Sequence, residues 1–265
     1  MGLQSSGKST MLNCMFNSKF AVAAGRCTKG IYMLPVILDE NLRNDFKFDY
    51  VLIFDTEGLR AAELGMNEDN RIKDNEMATT SVSVADVTLV NSMRMQNTEL
   101  YELLGVVATA ILNYQKQDIN KKDSFKVSTI FCNQGIEPSK RSALEFGIRI
   151  RENYLNEMAK IAAERIGHPV SYYSTLTFSS LMTQNIDEQF IPPLFSDSGN
   201  RKRVAMGYIG SSHNIRHCIL DKNQNSAGSI DRLIKKITDV FNCIVVDDYT
   251  FSFKNNMEMK AINMA

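Results

Sequence analysis

Near the start of the chain, Gly2, Leu3, Gln4, Ser5, Ser6, Gly7, Lys8 and Ser9 fit the spacing G-x-x-x-x-G-K-[ST] in full. That spacing has a chemical purpose. Glycines let the backbone wrap closely around phosphates, the amides of a helix amino terminus point inward at anionic oxygens, a lysine reaches the β and γ phosphates, and a hydroxyl ligates Mg²⁺. Gly2, Gly7, Lys8 and Ser9 supply these four parts, and the phosphate-contacting set they define runs through Gln4, Ser5, Ser6 and Thr10. The motif requires a helix behind it, and Met11, Leu12, Met15 and Phe16 follow at the spacing of one helical face.

A second chemical marker closes the apolar run Tyr50 to Phe54, which ends in Asp55, Thr56, Glu57 and Gly58. An aspartate at the carboxyl end of a buried strand can hold the shell of a Mg²⁺ ion, and a glycine three residues later can offer its amide to a γ-phosphate. Between the two markers lies Gly25, Arg26, Cys27, Thr28, Lys29, Gly30, a basic segment flanked by glycines. Thr28 is spaced to complete the metal shell with Ser9 and Asp55, which would make this segment a switch that orders on triphosphate and relaxes after hydrolysis. The bland alternative is a solvated basic loop. For the purine, the expected contact lies at the end of the strand Lys126 to Cys132, where Asn133, Gln134 and Gly135 follow. Asn133, with Gln134 beside it, is the candidate base contact; a strand-ending amide that only makes a turn is the alternative.

The elements that must hold these residues are legible as alternating patterns. Short β-rich runs at Ile31 to Leu38, Asp49 to Phe54, Asp86 to Asn91, Lys126 to Cys132 and, more faintly, Val170 to Thr177 alternate with helical stripes. Leu100, Leu103, Leu104, Val107, Ile111 and Leu112 form one stripe; Leu144, Ile148, Leu155, Met158, Ile161 and Ile166 form another. The predicted class is α/β, a P-loop nucleotide-binding fold whose mostly parallel sheet carries helices on both faces. A core of 1–178 is followed by a long irregular connection over 179–229, where Pro192 and Pro193 bar a regular helix, and by a helical carboxyl-terminal segment over 230–265. In that last segment an amphipathic helix from Ile230 to Ile244 should turn Leu233, Ile234, Ile237, Val240 and Phe241 inward. Phosphate loops of this kind leave a central strand, yet only Met1 stands before Gly2, so the expectation is an amino-terminally truncated domain that lacks its first strand.

Composition narrows the partners. At 265 residues with 44% apolar content, the chain can bury one large core. Lys plus Arg equals Asp plus Glu at 30 each, so no net field favours nucleic acid or an anionic membrane. The cysteines Cys14, Cys27, Cys132, Cys218 and Cys243 are scattered, without metal-ligand spacing or a disulfide framework. No run of ~18 apolar residues marks a membrane span.

The runs GLQSSGKSTMLNCMF, AGRCTKG, LPV, FDTEGLR and YTFSFKNNMEM resemble, in this order, the G domain of the interferon-inducible very large GTPases and the related up-regulators of cell proliferation, within the dynamin-like GTPases. The resemblance spans nearly the whole chain. It implies Mg²⁺-dependent GTP hydrolysis, a place in cytoplasm and nucleus, and a homodimer formed by G domains across the nucleotide. Similarity to dynamin implies that Gln4 orients the attacking water and that the Ser5 side chain or backbone helps to bind a charge-compensating cation. Glu57 is the other residue placed to orient water. The catalytic arginine that guanylate-binding proteins carry in the loop is replaced here by Ser5, and the glutamine that Ras-like proteins place after the DxxG glycine is replaced by Leu59. Arg26 is then the candidate for transition-state charge, in cis or across a dimer, with a free surface arginine as the alternative. These replacements keep two further readings open: a nucleotide-gated scaffold with little hydrolysis, and a P-loop ATPase.

Overall fold

The computed structural model describes residues 1–22, 28–60, 68–93, 98–117, 127–136, 141–198, 201–223 and 228–246. Arg26, Gly25 and Cys27, and the YTFSFKNNMEM run, lie outside the described residues. In chain order the elements are α1 (Lys8–Phe16), β1 (Ile31–Ile37), α2 (Glu40–Phe46), β2 (Tyr50–Thr56), α3 (Glu68–Val84), β3 (Val87–Met93), α4 (Thr98–Gln117), β4 (Val127–Gln134), α5 (Arg141–Arg165), α6 (Val170–Tyr173), α7 (Phe178–Met182), β5 (Thr183–Ile191), β6 (Phe195–Ser198), β7 (Arg201–Val204), α8 (Met206–Asn223) and α9 (Ile230–Val246).

Local chemistry explains several boundaries. Asp39 caps α2 by accepting from the Leu42 amide at 3.0 Å, and Lys47 ends that helix in the left-handed region. Asn17 ends α1 in the same way at φ 52°. Glu68 and Asp69 open α3, where carboxylates complement the helix dipole.

Three strands, β3, β4 and β5, form a parallel sheet in that spatial order, and β1 pairs with β2 as an antiparallel ribbon. Because successive side chains of a strand point to opposite faces, β4 feeds two cores. Phe131 joins Leu103, Leu104, Val107, Ile111, Leu155 and Ala159 of α4 and α5, whereas Ile130 and Cys132 join Met11 and Met15 of α1 and Tyr208, Ile215 and Ile219 of α8. Helices on both faces of a parallel sheet are the predicted class. α4 is buried nearly all round, from Leu103 through Leu112, because it lies between the sheet and the neighbouring α3, α5 and α9.

Three expectations are corrected. The faint strand at Val170 to Thr177 is instead the short α6 followed by a turn; Pro169 precedes it as N-cap, and the run Val170, Ser171, Tyr172, Tyr173 does not decide between helix and strand. The stretch 179–229 is not an irregular connection: it contains α7, β5, the β6–β7 hairpin and α8. β5 escapes notice because Thr183, Gln184, Asn185, Asp187, Glu188 and Gln189 make it polar, as an edge strand paired on one side can be. Pro192 and Pro193 follow β5 rather than interrupting a helix, in keeping with the proline's missing amide donor. Finally, α9 forms as predicted, but Ile234, Ile237 and Phe241 are exposed; Val240 is buried and Leu233 half-buried against the core.

The ribbon and the parallel sheet share a hydrophobic cluster, and residues 1–3 supply the backbone bridges between them. Gly2 bridges Asn91 of β3 and Leu3 bridges Leu59 after β2, both in parallel sense. The Asn91 amide donates to the Met1 carbonyl at 2.9 Å, and the Leu59 amide to that of Gly2 at 3.2 Å. Beyond this junction a groove of about 700 Å³ opens between β2 and β3, floored by Ile53 and Leu89 and walled by Ile237 and Phe241 of α9. No helix among the described residues is long and apolar enough to cross a membrane.

Candidate nucleotide site

The phosphate loop is built from backbone conformations that few residues adopt. Gly7 sits at φ 80° as the N-cap of α1, and its carbonyl accepts the Met11 amide at 3.0 Å, which starts the helix. A side chain at φ 80° would be strained, so glycine belongs here. Ser5 also lies in the left-handed region, at φ 57°, at the exposed crest of the loop. Gly2 is fixed by crowding instead: a β-carbon there would stand 2.4 Å from the Asn91 carbonyl oxygen. Thr10 lies half-buried in the first turn of α1.

Lys8 folds back over the loop, and its Nζ donates to the Leu3 carbonyl at 2.9 Å. Burial draws its ammonium down to about 8, against the opposing pull of the Asp55 and Glu57 carboxylates. A cation held at reduced hydration beside a helix amino terminus is suited to an anionic ligand.

The structure brings Ser9, Thr28 and Asp55 together. Ser9 Oγ donates to Asp55 Oδ2 at 2.8 Å, and Thr28 Oγ1 donates to the same oxygen at 3.0 Å. Asp55 is 1% exposed, and its other oxygen, Oδ1, is buried without a hydrogen-bond partner. An ionised carboxylate oxygen left unsatisfied in a buried site is costly. Two hydroxyls and a carboxylate, all hard oxygen donors with spare acceptor capacity, fit Mg²⁺. Ser9, Thr28 and Asp55 are therefore the residues that would hold the ion, which would neutralise phosphate charge when bound.

Beyond Asp55, Gly58 packs against the loop itself. A β-carbon at Gly58 would approach Gln4 Cα to 2.4 Å, and the Gln4 amide donates to the Leu59 carbonyl at 3.0 Å. Glycine is thus required at Gly58 by close approach of two backbones. Glu57 turns toward the segment after Thr28: its Oε2 accepts the Gly30 amide at 2.8 Å, and its own amide donates to the Gly30 carbonyl at 2.7 Å. Leu59 is 1% exposed and belongs to the core.

The strand-end amides behave differently from each other. Asn133 is buried, with Nδ2 donating to Glu188 Oε2 at 2.8 Å and Oδ1 accepting from Ser92 at 3.3 Å. Glu188 is in turn bound by Arg151, whose guanidinium lies over the Phe131 ring. The structure therefore ties Asn133 to β3, β5 and α5 and does not bring it to the loop. Gln134 does reach the loop, under Ser6 and Gly7, together with Asn91, and Tyr208 bonds Gln134 from behind; sequence reasoning missed both Asn91 and Tyr208. Asn91 had a signal, an amide amid the apolar run of β3; Tyr208, on α8, had none. Arg60, also unassigned from sequence, donates its amide to Asp74 Oδ2 at 2.9 Å and so pins the turn after Leu59 to α3.

This geometry agrees with what comparison with known proteins finds. A family profile described as URGCP-like GTPase domain matches residues 1–209. The human interferon-induced very large GTPase 1 is 31% identical over 271 residues, covering 99% of this chain and 11% of that protein. Up-regulator of cell proliferation from Bos taurus is 23% identical over 249 residues, covering 91% of this chain and 25% of that protein. A Protein SEY1 homolog from Theileria annulata is 29% identical over 175 residues, 61% of this chain and 18% of that protein. The chain thus spans about a tenth of the length of the very large GTPases that it matches. With the profile covering most of the chain, and the loop, hydroxyls and aspartate assembled in one place, the chain belongs to the URGCP-like GTPase domain family.

Proposed function

We propose that this domain binds GTP with Mg²⁺ and hydrolyses it to GDP and phosphate, as the nucleotide-binding part of a larger dynamin-like protein. The observation that carries the reading is the convergence of Ser9 and Thr28 on one oxygen of Asp55, whose other oxygen is unsatisfied, beside the half-buried Lys8. Hydroxyl, hydroxyl and carboxylate in this arrangement match a metal shell that is completed by phosphate oxygens. Thr28 lies in the segment read as the first switch, and its bond to Asp55 is the link that metal and triphosphate would replace. Gln4 is the loop residue proposed to orient water, with the exposed Ser5 beside it proposed to help bind a charge-compensating cation. The name of the very large GTPases supports GTP as the nucleotide.

The test is binding of a fluorescent GTP analogue with and without Mg²⁺, in competition with ATP, to the wild-type chain and to Lys8→Ala. Magnesium-dependent binding that GTP displaces better than ATP, and that Lys8→Ala loses, is the expected result; binding unaffected by Lys8→Ala would refute the site. Single-turnover hydrolysis at rising protein concentration then tests pairing of G domains, which should raise the rate per molecule. One observation favours a slower, scaffold-like reading: Glu57 is bound to the Gly30 backbone and Leu59 is buried, so neither points to a water-orienting role. A rate that stays flat with concentration would support that second reading.

A further inference from the structure

We infer that Asn91 and Gln134 are positioning residues that lock the Ser6–Gly7 peptide so that its amide faces the phosphates; this rests on the GTP-binding reading above. Asn91 Nδ2 donates to the Ser6 carbonyl at 2.6 Å and lies 3.1 Å from Ser6 Oγ. Gln134 Nε2 donates to the same Ser6 carbonyl at 3.2 Å and to Asn91 Oδ1 at 2.7 Å. Tyr208 completes the set, its hydroxyl donating to Gln134 Oε1 at 3.4 Å. Asn91, Gln134, Ser6 and Tyr208 are all buried, at 0%, 5%, 4% and 1% exposure. Each amide therefore has its orientation dictated by its partners, since a flipped amide would set its oxygen against the Ser6 carbonyl, acceptor against acceptor.

The consequence follows from peptide geometry. No described peptide bond is cis, and a trans peptide points its C=O and the next N–H to opposite sides. Two donors from the sheet hold the Ser6 carbonyl down beneath the loop. The Gly7 amide is thereby turned up, away from the sheet, into the concave side that α1 opens with its positive dipole end. Gly7 at φ 80° has little intrinsic preference between hands, so something outside the glycine has to choose the orientation. Its side-chain-free face packs on the Gln134 carboxamide, to which a β-carbon would come within 3.4 Å. The clamp also explains why Gln134, at a strand end where a base contact was expected, reaches sideways under the loop.

The experiment is Gln134→Met, which keeps length and volume and removes both donors, measured in the whole chain by titration with fluorescent GTP and by thermal unfolding with and without a non-hydrolysable GTP analogue. A positioning role predicts roughly 10- to 100-fold weaker binding and a shrunken analogue-induced rise in Tm, beyond any change in the nucleotide-free Tm. A merely structural role predicts a lower nucleotide-free Tm with the analogue-induced rise intact, and that result would overturn the inference. If Gln134→Met does not unfold cooperatively, Tyr208→Phe decides: a severalfold weaker affinity supports the clamp, and wild-type affinity refutes it. Failure of the wild-type chain to bind the analogue would remove the underlying reading and the clamp with it. Wild-type binding matched by Gln134→Met would remove the clamp alone.

Discussion

Lys8 is the residue whose chemistry is most altered by its place in the fold. Its ammonium titrates at about 8 in the nucleotide-free domain, lowered by burial, so it is charged below that pH and neutral above it. On the proposed function, a triphosphate would bind the charged form and raise its pKa. Affinity should therefore be flat below pH 8 and fall with rising pH above it, by up to tenfold per unit, until the pKa of the complex is reached. Titration of a fluorescent GTP analogue between pH 6.5 and 9.5 checks the slope; an affinity that rises with pH would contradict the role given to Lys8. Asp55 permits a second test at this scale. Asp55→Asn keeps the shape that receives Ser9 and Thr28 but removes the charge, and it should erase at least about tenfold of the affinity that Mg²⁺ adds. Binding measured in EDTA should change far less. Both residues were named from spacing alone, because a lysine after a loop glycine and an aspartate at a strand end carry their function in their identity. For Asn133, spacing does not set which way the strand-end amide points: that depends on Glu188 and Ser92, which stand 55 and 41 residues away in the chain.

At the scale of elements, the close approach of two turns is the feature that the site cannot relax. Gly58 and Gln4 touch through backbone, so Gly58→Ala must part the β2 turn from the phosphate loop. The expected cost is about 1–3 kcal/mol, as for other overpacked contacts, read as a lowered denaturant midpoint, with GTP affinity reduced more than GDP affinity. Equal loss for both nucleotides would show that the turn serves only stability. The strands β1 to β4 and the helices α4, α5 and α9 were legible because each keeps its period over many residues. β5 was not, because a polar edge strand gains its place from pairing with β4 rather than from its own apolar pattern. α8 has apolar residues at Tyr208, Ile215, Ile219 and Leu220, but its serine and charged residues blur the stripe, and packing on α1 and β5 selects the helix.

For the whole molecule, burial separates residues that look alike in sequence. Leu104 in α4 is 1% exposed, whereas Phe241 in α9 is 64% exposed beside the groove between β2 and β3. Leu104→Ala should cost about 2–5 kcal/mol, and Phe241→Ser should stay within about 0.5 kcal/mol, both measured by urea unfolding of this chain. A large loss from Phe241→Ser would mean that the groove is closed in solution. Read alone, the amino-acid order determined the phosphate loop, the two hydroxyls and the aspartate proposed as metal ligands, the α/β class and most of the periodic elements, because these depend on residue identity at short spacing. The assignment of Asn133 away from the loop, the clamp of Asn91, Gln134 and Tyr208 beneath Ser6, and the open side of α9 were decided only by tertiary structure. Those features are contacts between residues tens to more than a hundred positions apart, and no local pattern encodes which of several buried partners a polar side chain will meet.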